Sequence, residues 1–176
     1  MTGKKGTGKV LAVLLVAVCC GASYSCFTMK YSTTGASLPP EAKTVSVQYV
    51  ENQARNVESG LSQQVTDALK DYIQANTNLI MVNTNGDIDF EGVITGFDVR
   101  PAAIVSGDEA AKNRFTITLK MKFTCTVKPE IDYESSFSRY EDYDSNLDFE
   151  TAKANLTGDI LKLLIEDVYN KAFVNW

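Results

Sequence analysis

The sequence contains no histidine. That absence removes Ser-His-Asp and Cys-His catalysis, histidine-ligated metal sites and histidine pH switching together. There is no excess of positive charge either: 17 Lys plus Arg stand against 22 Asp plus Glu, a formal net charge of −5. A nucleic-acid-binding chain ordinarily carries a basic footprint, so that class is set aside. No Gly-rich phosphate loop, Cys-x-x-Cys pair or calcium loop with its glycine occurs. No cofactor and no metal are expected. No apolar run approaches the ~20 residues needed for a membrane-spanning helix. What is present is a chain of 176 residues, 44% of them apolar, enough for one domain with a real core.

The first residues read as an address. Lys4, Lys5 and Lys9 precede an unbroken apolar run, Val10–Val18, and the small residues Gly21, Ala22 and Ser23 follow. Positive start, apolar middle and small residues near a cut form the pattern of a secretory signal. A core helix would leave the basic start and the clustered cysteines unexplained. A bacterial lipoprotein signal ends at a cysteine that receives lipid. Cys26, with Ser25 and Ser23 before it, fits better than Cys20 or Cys19. Residues 1–25 are therefore expected to be a lipoprotein signal peptide, with Cys26 as the acylated residue. Several acyl chains, palmitate among them, would give a stable anchor where one would be marginal. Plain secretion with cleavage near Ser25 is the alternative.

This cut changes the arithmetic. Cys19 and Cys20 are discarded, Cys26 is lipidated, and Cys125 is left as a lone thiol with no disulfide partner. Three lysines and no acids are lost, so the net charge of −5 becomes −8. Bulk charge does not hold such a chain to anionic lipid.

Residues 26–42 read as a linker and 43–176 as one α+β domain. Thr44–Val50 alternates, with Val45, Val47 and Tyr49 on one side. A helix over Leu61–Ala75, capped by Ser59, carries Leu61, Val65, Ala68, Leu69, Tyr72 and Ile73 at helical spacing. Leu79–Val82 is a short strand, and Asn85-Gly86 suits a tight hairpin. Ile88–Val99 is a strand whose apolar parity changes around Gly96, which predicts a bulge or glycine kink there. Arg114–Val127 alternates without a break, apolar at odd positions from Phe115 to Val127 and polar at even ones. Cys125 falls on the apolar face and reads as a small buried hydrophobe. Ile131–Tyr143 is a further strand with Ile131, Tyr133 and Phe137 in phase. A final helix, Phe149–Phe173, carries Ile160, Leu161, Leu164, Ile165, Val168, Tyr169, Ala172 and Phe173 as a two-wide stripe. One apolar face on each element predicts a mixed four- to five-stranded sheet with two α-helices packed on one face.

Few residues suggest chemistry. Glu141, Asp142 and Asp144 could form a carboxylate pair, but no nucleophile and base accompany them. Asp87, Asp89 and Glu91 share a strand face and could meet a hard cation; solvated charge is the plainer account. The basic residues are more informative. Lys112, Arg114, Lys120, Lys122 and Lys128 all occupy even positions within one short stretch. They form either an ordinary solvated sheet face or a cationic stripe for phosphorylated glycolipid or an acidic partner.

Three segments then carry a resemblance. Tyr31-Ser32-Thr33-Thr34-Gly35-Ala36-Ser37-Leu38-Pro39-Pro40 resembles the opening of LptE-family lipoproteins. So does Ser136-Phe137-Ser138-Arg139-Tyr140-Glu141-Asp142-Tyr143-Asp144-Ser145, and Asn170-Lys171-Ala172-Phe173-Val174-Asn175-Trp176 completes the match. The likeness spans the mature chain, in a divergent branch of the family. It implies a non-enzymatic lipoprotein on the periplasmic leaflet of the outer membrane. Such a protein plugs and helps assemble the LptD β-barrel and binds lipopolysaccharide on its way to the outer leaflet. It transfers no catalytic residues. Arg139, Tyr140 and Tyr143 become candidates for the barrel interface, since Arg and Tyr are common anchors; strand packing is the alternative for both tyrosines. The rival functions are an adaptor lipoprotein of another envelope assembly complex and an envelope hydrolase using Asp142 or Glu141.

Overall fold

The computed structural model describes residues 39–56, 58–102 and 111–174. The expected signal segment, Cys26, most of the linker and Asn175 and Trp176 lie outside them.

Strand β5 (Lys112–Cys125) organises the sheet. Its odd residues Phe115, Ile117, Leu119, Met121, Phe123 and Cys125 are buried, and its even residues face the other way. β4 (Ile88–Pro101) and β6 (Tyr133–Asp144) flank it, both antiparallel. In β4 the buried residues are even up to Ile94, and Phe97 is then odd. The register against β5 slips between Ile94 and Gly96. The predicted bulge is therefore present: one extra residue returns the apolar side chains to the core.

β1 (Thr44–Val47) runs parallel to β4, and β3 (Ile80–Val82) runs parallel to β1. A two-residue strand, β2 (Glu51–Asn52), continues along β4. The six strands form one mixed sheet in the order β3-β1-β4-β5-β6, with β2 beside β4.

Three local expectations are corrected. Asn85 does take a positive φ of 54°, but β3 and β4 make no hairpin because β1 lies between them. Gly86 serves instead for close approach. A Cβ there would sit 2.6 Å from both Ser46 N and Ile88 O. Second, Tyr49 does not join Val45 and Val47 in the core. Val47 pairs with Phe90 and Glu51 with Val93, so the chain spends one more residue than β4 over this span. The irregularity leaves Val50 buried and Tyr49 60% exposed. Third, Gly60 rather than Ser59 caps helix α1 (Leu61–Asn76), at φ 83° with no side-chain hydrogen bond. A left-handed residue there favours glycine.

Both helices bury their stripes against the odd-residue face of β5 and its neighbours. α1 contributes Leu61, Val65, Leu69 and Ile73, and α2 (Phe149–Phe173) buries every residue of the stripe read from its sequence. Asp148 caps α2 by accepting from Thr151 N at 3.0 Å. Phe173 meets Phe90 edge-on with centroids 5.9 Å apart, tying the end of α2 to the sheet. Tyr72 and Tyr169 meet edge-to-face at 5.1 Å, and Tyr169 Oη donates to Asn76 O at 3.0 Å. Each large apolar side chain so buried contributes about 1.5–3 kcal/mol. The last linker residues belong to the domain: Ala42 N donates to Pro39 O at 3.0 Å, and Ala42 packs on the core. Among the described residues no helix is long and apolar enough to cross a membrane.

Candidate functional site

With two helices on one face, the sheet turns its other face outward. Parity decides what lies there: the even residues of β5 and β6, and in β4 the residues opposite the core. The middle is a band of hydroxyls. Thr118 and Ser138 stand opposite each other with oxygens 3.1 Å apart, and Thr116 stands opposite Tyr140.

Ion pairs flank this band. Arg114 grips Asp142 with two hydrogen bonds, Nε to Oδ1 at 2.7 Å and Nη2 to Oδ2 at 2.8 Å. Its guanidinium also lies 3.7 Å from the ring centre of Tyr140. At the other end, Lys122 donates to Glu91 across β4 at 2.8 Å. Lys120 pairs diagonally with Glu134 of β6. Hydrogen bonding explains the titration of these groups. Bonding to Asp142 raises the Arg114 pKa, bonding to Arg114 lowers that of Asp142, Glu91 raises Lys122, and Lys120 lowers Glu134.

The five basic candidates thus divide. Arg114, Lys120 and Lys122 lie on the outward face as parity requires, but each is met by a carboxylate. Lys112 and Lys128, both exposed, take part in no ion pair among the described residues. Arg114, Lys120 and Lys122 therefore belong to a row of cross-strand pairs, with Lys112, opposite Asp144 in the ladder, and Lys128 near its ends.

The interface trio also divides. Tyr140 is 51% exposed on the outward face. Arg139 lies on the helix side and bonds Asp167 of α2 twice, at 2.6 and 2.7 Å. Tyr143 is a correction: at 7% exposure it is a core residue, its ring 5.9 Å from that of Phe149. Its odd position puts it in phase with Tyr133 and Phe137.

An open depression of about 620 Å³ lies over β4, β5 and β6, bordered by Gln48 and Tyr49 of the segment after β1 and by Glu51 of β2. Gln48 and the exposed Tyr49 form one rim, Lys120, Lys122 and Glu134 the other, and Glu91 lies between. Gln48 and Tyr49 carried no signal in the sequence, because Tyr49 reaches the surface only through the irregularity after Val47. The carboxylates Glu91 and Glu134 needed the strand register to be seen as partners.

The acidic row Asp87, Asp89 and Glu91 holds no cluster of metal-ligand type among the described residues. Its members face partners from within the chain. Asp87 accepts from Lys43 N, Thr44 N and Thr44 Oγ1, and Asp89 accepts from Ser46 and Gln48. Cys125 is buried, which pushes its thiol pKa up. Asp142, put forward as a hydrolase carboxylate, is held in the Arg114 pair with its pKa lowered, the opposite of what a general acid needs.

The family profile for lipopolysaccharide assembly, LptE, matches residues 42–172. The chain belongs to the LptE family. That family is one of non-enzymatic outer-membrane lipoproteins. The described domain is its fold, two helices against a mixed sheet. No curated protein matches this LptE-family sequence. Two solved structures share its fold at low identity. A hypothetical protein from Chlamydia trachomatis superposes with a TM-score of 0.51 at 6% identity, covering 76% of this chain and 99% of its own. A putative neuraminyllactose-binding hemagglutinin homolog from Helicobacter pylori gives 0.51 at 9% identity, covering 80% and 88%. A minor lipoprotein from Acinetobacter baumannii gives 0.49 at 12% identity, covering 74% and 91%.

Proposed function

We propose that this LptE-family chain is the lipid-anchored plug and assembly factor of an LptD-like outer-membrane β-barrel. In this reading it engages lipopolysaccharide with the outward face of its sheet. Family membership over residues 42–172 carries the reading. A continuous polar face of hydroxyls and paired charges suits the polar interior of a barrel. Tyr140 and Arg114 form its most prominent aromatic-cation platform. Lys112 and Lys128, which take part in no ion pair among the described residues, offer further charges to phosphate groups. Lys120 and Lys122 can also exchange their carboxylates for phosphate, because exposed ion pairs hold weakly. Arg139 sits on the helix side and would meet the barrel from there. Acyl chains on Cys26, after removal of residues 1–25, would hold the domain at the periplasmic leaflet.

The test is a pull-down from detergent-solubilised outer membrane with the full chain as bait. Stoichiometric recovery of an LptD-like barrel is expected. Recovery of a different assembly machine would replace the plug with an adaptor. In the same cells Cys26→Ala should abolish fatty-acid labelling; labelling that persists would move the anchor to Cys20 or Cys19.

A further inference from the structure

Among the described residues two aromatic side chains stand exposed, Tyr49 at 60% and Tyr140 at 51%. Their rings are in different states. That of Tyr140 is covered by the Arg114 guanidinium. Tyr49 makes no ring contact, cation contact or side-chain hydrogen bond among the described residues. Its backbone is held on both sides. Val47 before it pairs with Phe90, and Glu51 after it pairs with Val93. Val50 beside it is fully buried, and the Val50 N–H donates to Thr66 Oγ1 of α1 at 3.0 Å. An open ring on a fixed backbone therefore borders the depression.

The floor of the depression gives that ring an apolar companion. The core residues of β4 are even up to Ile94, so Val93 faces outward, half-buried, opposite Lys120 in the ladder. Tyr49 and Val93 are the apolar side chains of the lining. The rest is polar and offers hydrogen bonds of both kinds. Gln48 donates through Nε2 to Asp89 at 3.1 Å, which leaves its carbonyl oxygen to accept. Glu51 takes part in no ion pair among the described residues, and one of its oxygens accepts from Gln53 Nε2 at 3.1 Å. Lys120 and Lys122 supply N–H groups. The volume of about 620 Å³ falls within the ~300–1,000 Å³ of small-molecule sites.

These features select a ligand class. Three carboxylates, Glu51, Glu91 and Glu134, line the depression against two ammonium groups. A bare anion gains little net attraction from such a lining. A wholly apolar ligand would strip water from the charges without replacing its hydrogen bonds. A pyranose ring meets both conditions. Its C–H face is apolar and slightly positive, which suits the negative face of a tyrosine ring. Its hydroxyls both donate and accept, so they can share the carboxylate and ammonium groups without breaking the ion pairs.

We propose that the depression is a sugar-binding subsite. Tyr49 and Val93 take the C–H face of one pyranose ring, and Gln48 and Glu51 bind its hydroxyls. The proposal rests on the reading that the outward face meets lipopolysaccharide, and it assigns a place to the saccharide part of that ligand, beside the phosphates.

The probes are lipopolysaccharide, the same glycan de-acylated and dephosphorylated, and inorganic phosphate, each titrated by calorimetry into the full chain in detergent. The dephosphorylated glycan should bind. Tyr49→Ala, a change at an exposed side chain, should weaken it about tenfold. Tyr49→Phe keeps the ring and should stay within about twofold of wild type. The loss in Tyr49→Ala should persist at about 1 M salt, since stacking is not screened as exposed ion pairs are. Inorganic phosphate should not distinguish Tyr49→Ala from wild type. Wild type that binds lipopolysaccharide but not the dephosphorylated glycan would overturn the subsite and leave the reading of the face standing. So would Tyr49→Ala that binds this glycan as wild type does, or that loses inorganic phosphate equally. Wild type that binds neither lipopolysaccharide nor the glycan would overturn both.

Discussion

Thr44 and Asp87 exchange hydrogen bonds in both directions. Thr44 Oγ1 donates to Asp87 Oδ2 at 2.9 Å and accepts from Asp87 N at 2.8 Å. The same carboxylate accepts from the backbone N–H of Lys43 at 2.9 Å and of Thr44 at 3.0 Å. Four bonds thereby tie the start of β1 to the start of β4, just where the two parallel strands begin to pair. The donors hold the Asp87 pKa below its ordinary value, the backbone N–H of Lys43 first.

The sign of the pH effect follows. A carboxylate with a depressed folded pKa binds protons more weakly than in the unfolded chain. Its stabilisation is complete above the unfolded value of about 4 and is lost as the pH falls through the lower folded value. Asp142 and Glu134 act in the same direction, through Arg114 and Lys120. Asp87→Asn should therefore lower the melting temperature at neutral pH. The gap between variant and wild type should close below about pH 4. Thermal unfolding across that range checks it; a gap independent of pH would mean that the carboxylate charge contributes nothing.

The extent to which this architecture was legible in the sequence depended on the range of each signal. β5 was readable because its period-2 pattern is complete within the strand. The bulge at Gly96 was readable because a bulge inverts parity, and parity is local. The α2 stripe was readable for the same reason. The hairpin at Asn85-Gly86 failed because a turn signal cannot report a strand that arrives from far upstream. β1 comes from some forty positions earlier and occupies the place the hairpin partner would have taken. Tyr49 failed through an irregularity that no parity announces. Tyr143 shows the reverse: its odd phase already placed it with Tyr133 and Phe137, and the burial follows that phase. The outward placement of Arg114, Lys120 and Lys122 follows from parity, but their carboxylate partners became visible only once the register set Lys122 beside Glu91 and Arg114 beside Asp142.

Two glycines should respond oppositely to the same substitution. Gly158 lies within α2, exposed, and a Cβ there would meet nothing within 4 Å. Gly158→Ala should stabilise the domain by about 0.5–1 kcal/mol, from helix propensity and reduced unfolded-state freedom. At Gly86 the Cβ would collide with backbone atoms at 2.6 Å, and backbone cannot swing aside like a flexible side chain. Gly86→Ala should cost about 1–3 kcal/mol, in the range of overpacked sites. Denaturant melts of the two variants give the comparison. A neutral Gly86→Ala would mean that β1 and the turn before β4 separate easily.

The carboxylates of the outward face give the last prediction. Lys122 and Lys120 present their ammonium groups to Glu91 and Glu134, so a phosphorylated glycolipid must compete with those partners. Removing the competitor should help the ligand. Glu91→Gln with Glu134→Gln takes two negative charges from the lining of the depression and frees both lysines. Lipopolysaccharide binding at low salt should strengthen, by about fivefold if each freed lysine adds an ordinary surface interaction. The gain should fade toward 1 M salt, where the screening length is only ~3 Å. Lys120→Glu with Lys122→Glu should act the opposite way, weakening binding and flattening its salt dependence, with the sheet still folded by circular dichroism. The signs distinguish this face from a remote site. A ligand bound elsewhere would feel two changes of net charge at long range only, and both effects would vanish once salt screens beyond ~10 Å, near 0.1 M. Binding that differs between the two variants at 0.1 M and above places the phosphates against Lys120 and Lys122; identical binding there removes this face from the lipopolysaccharide path.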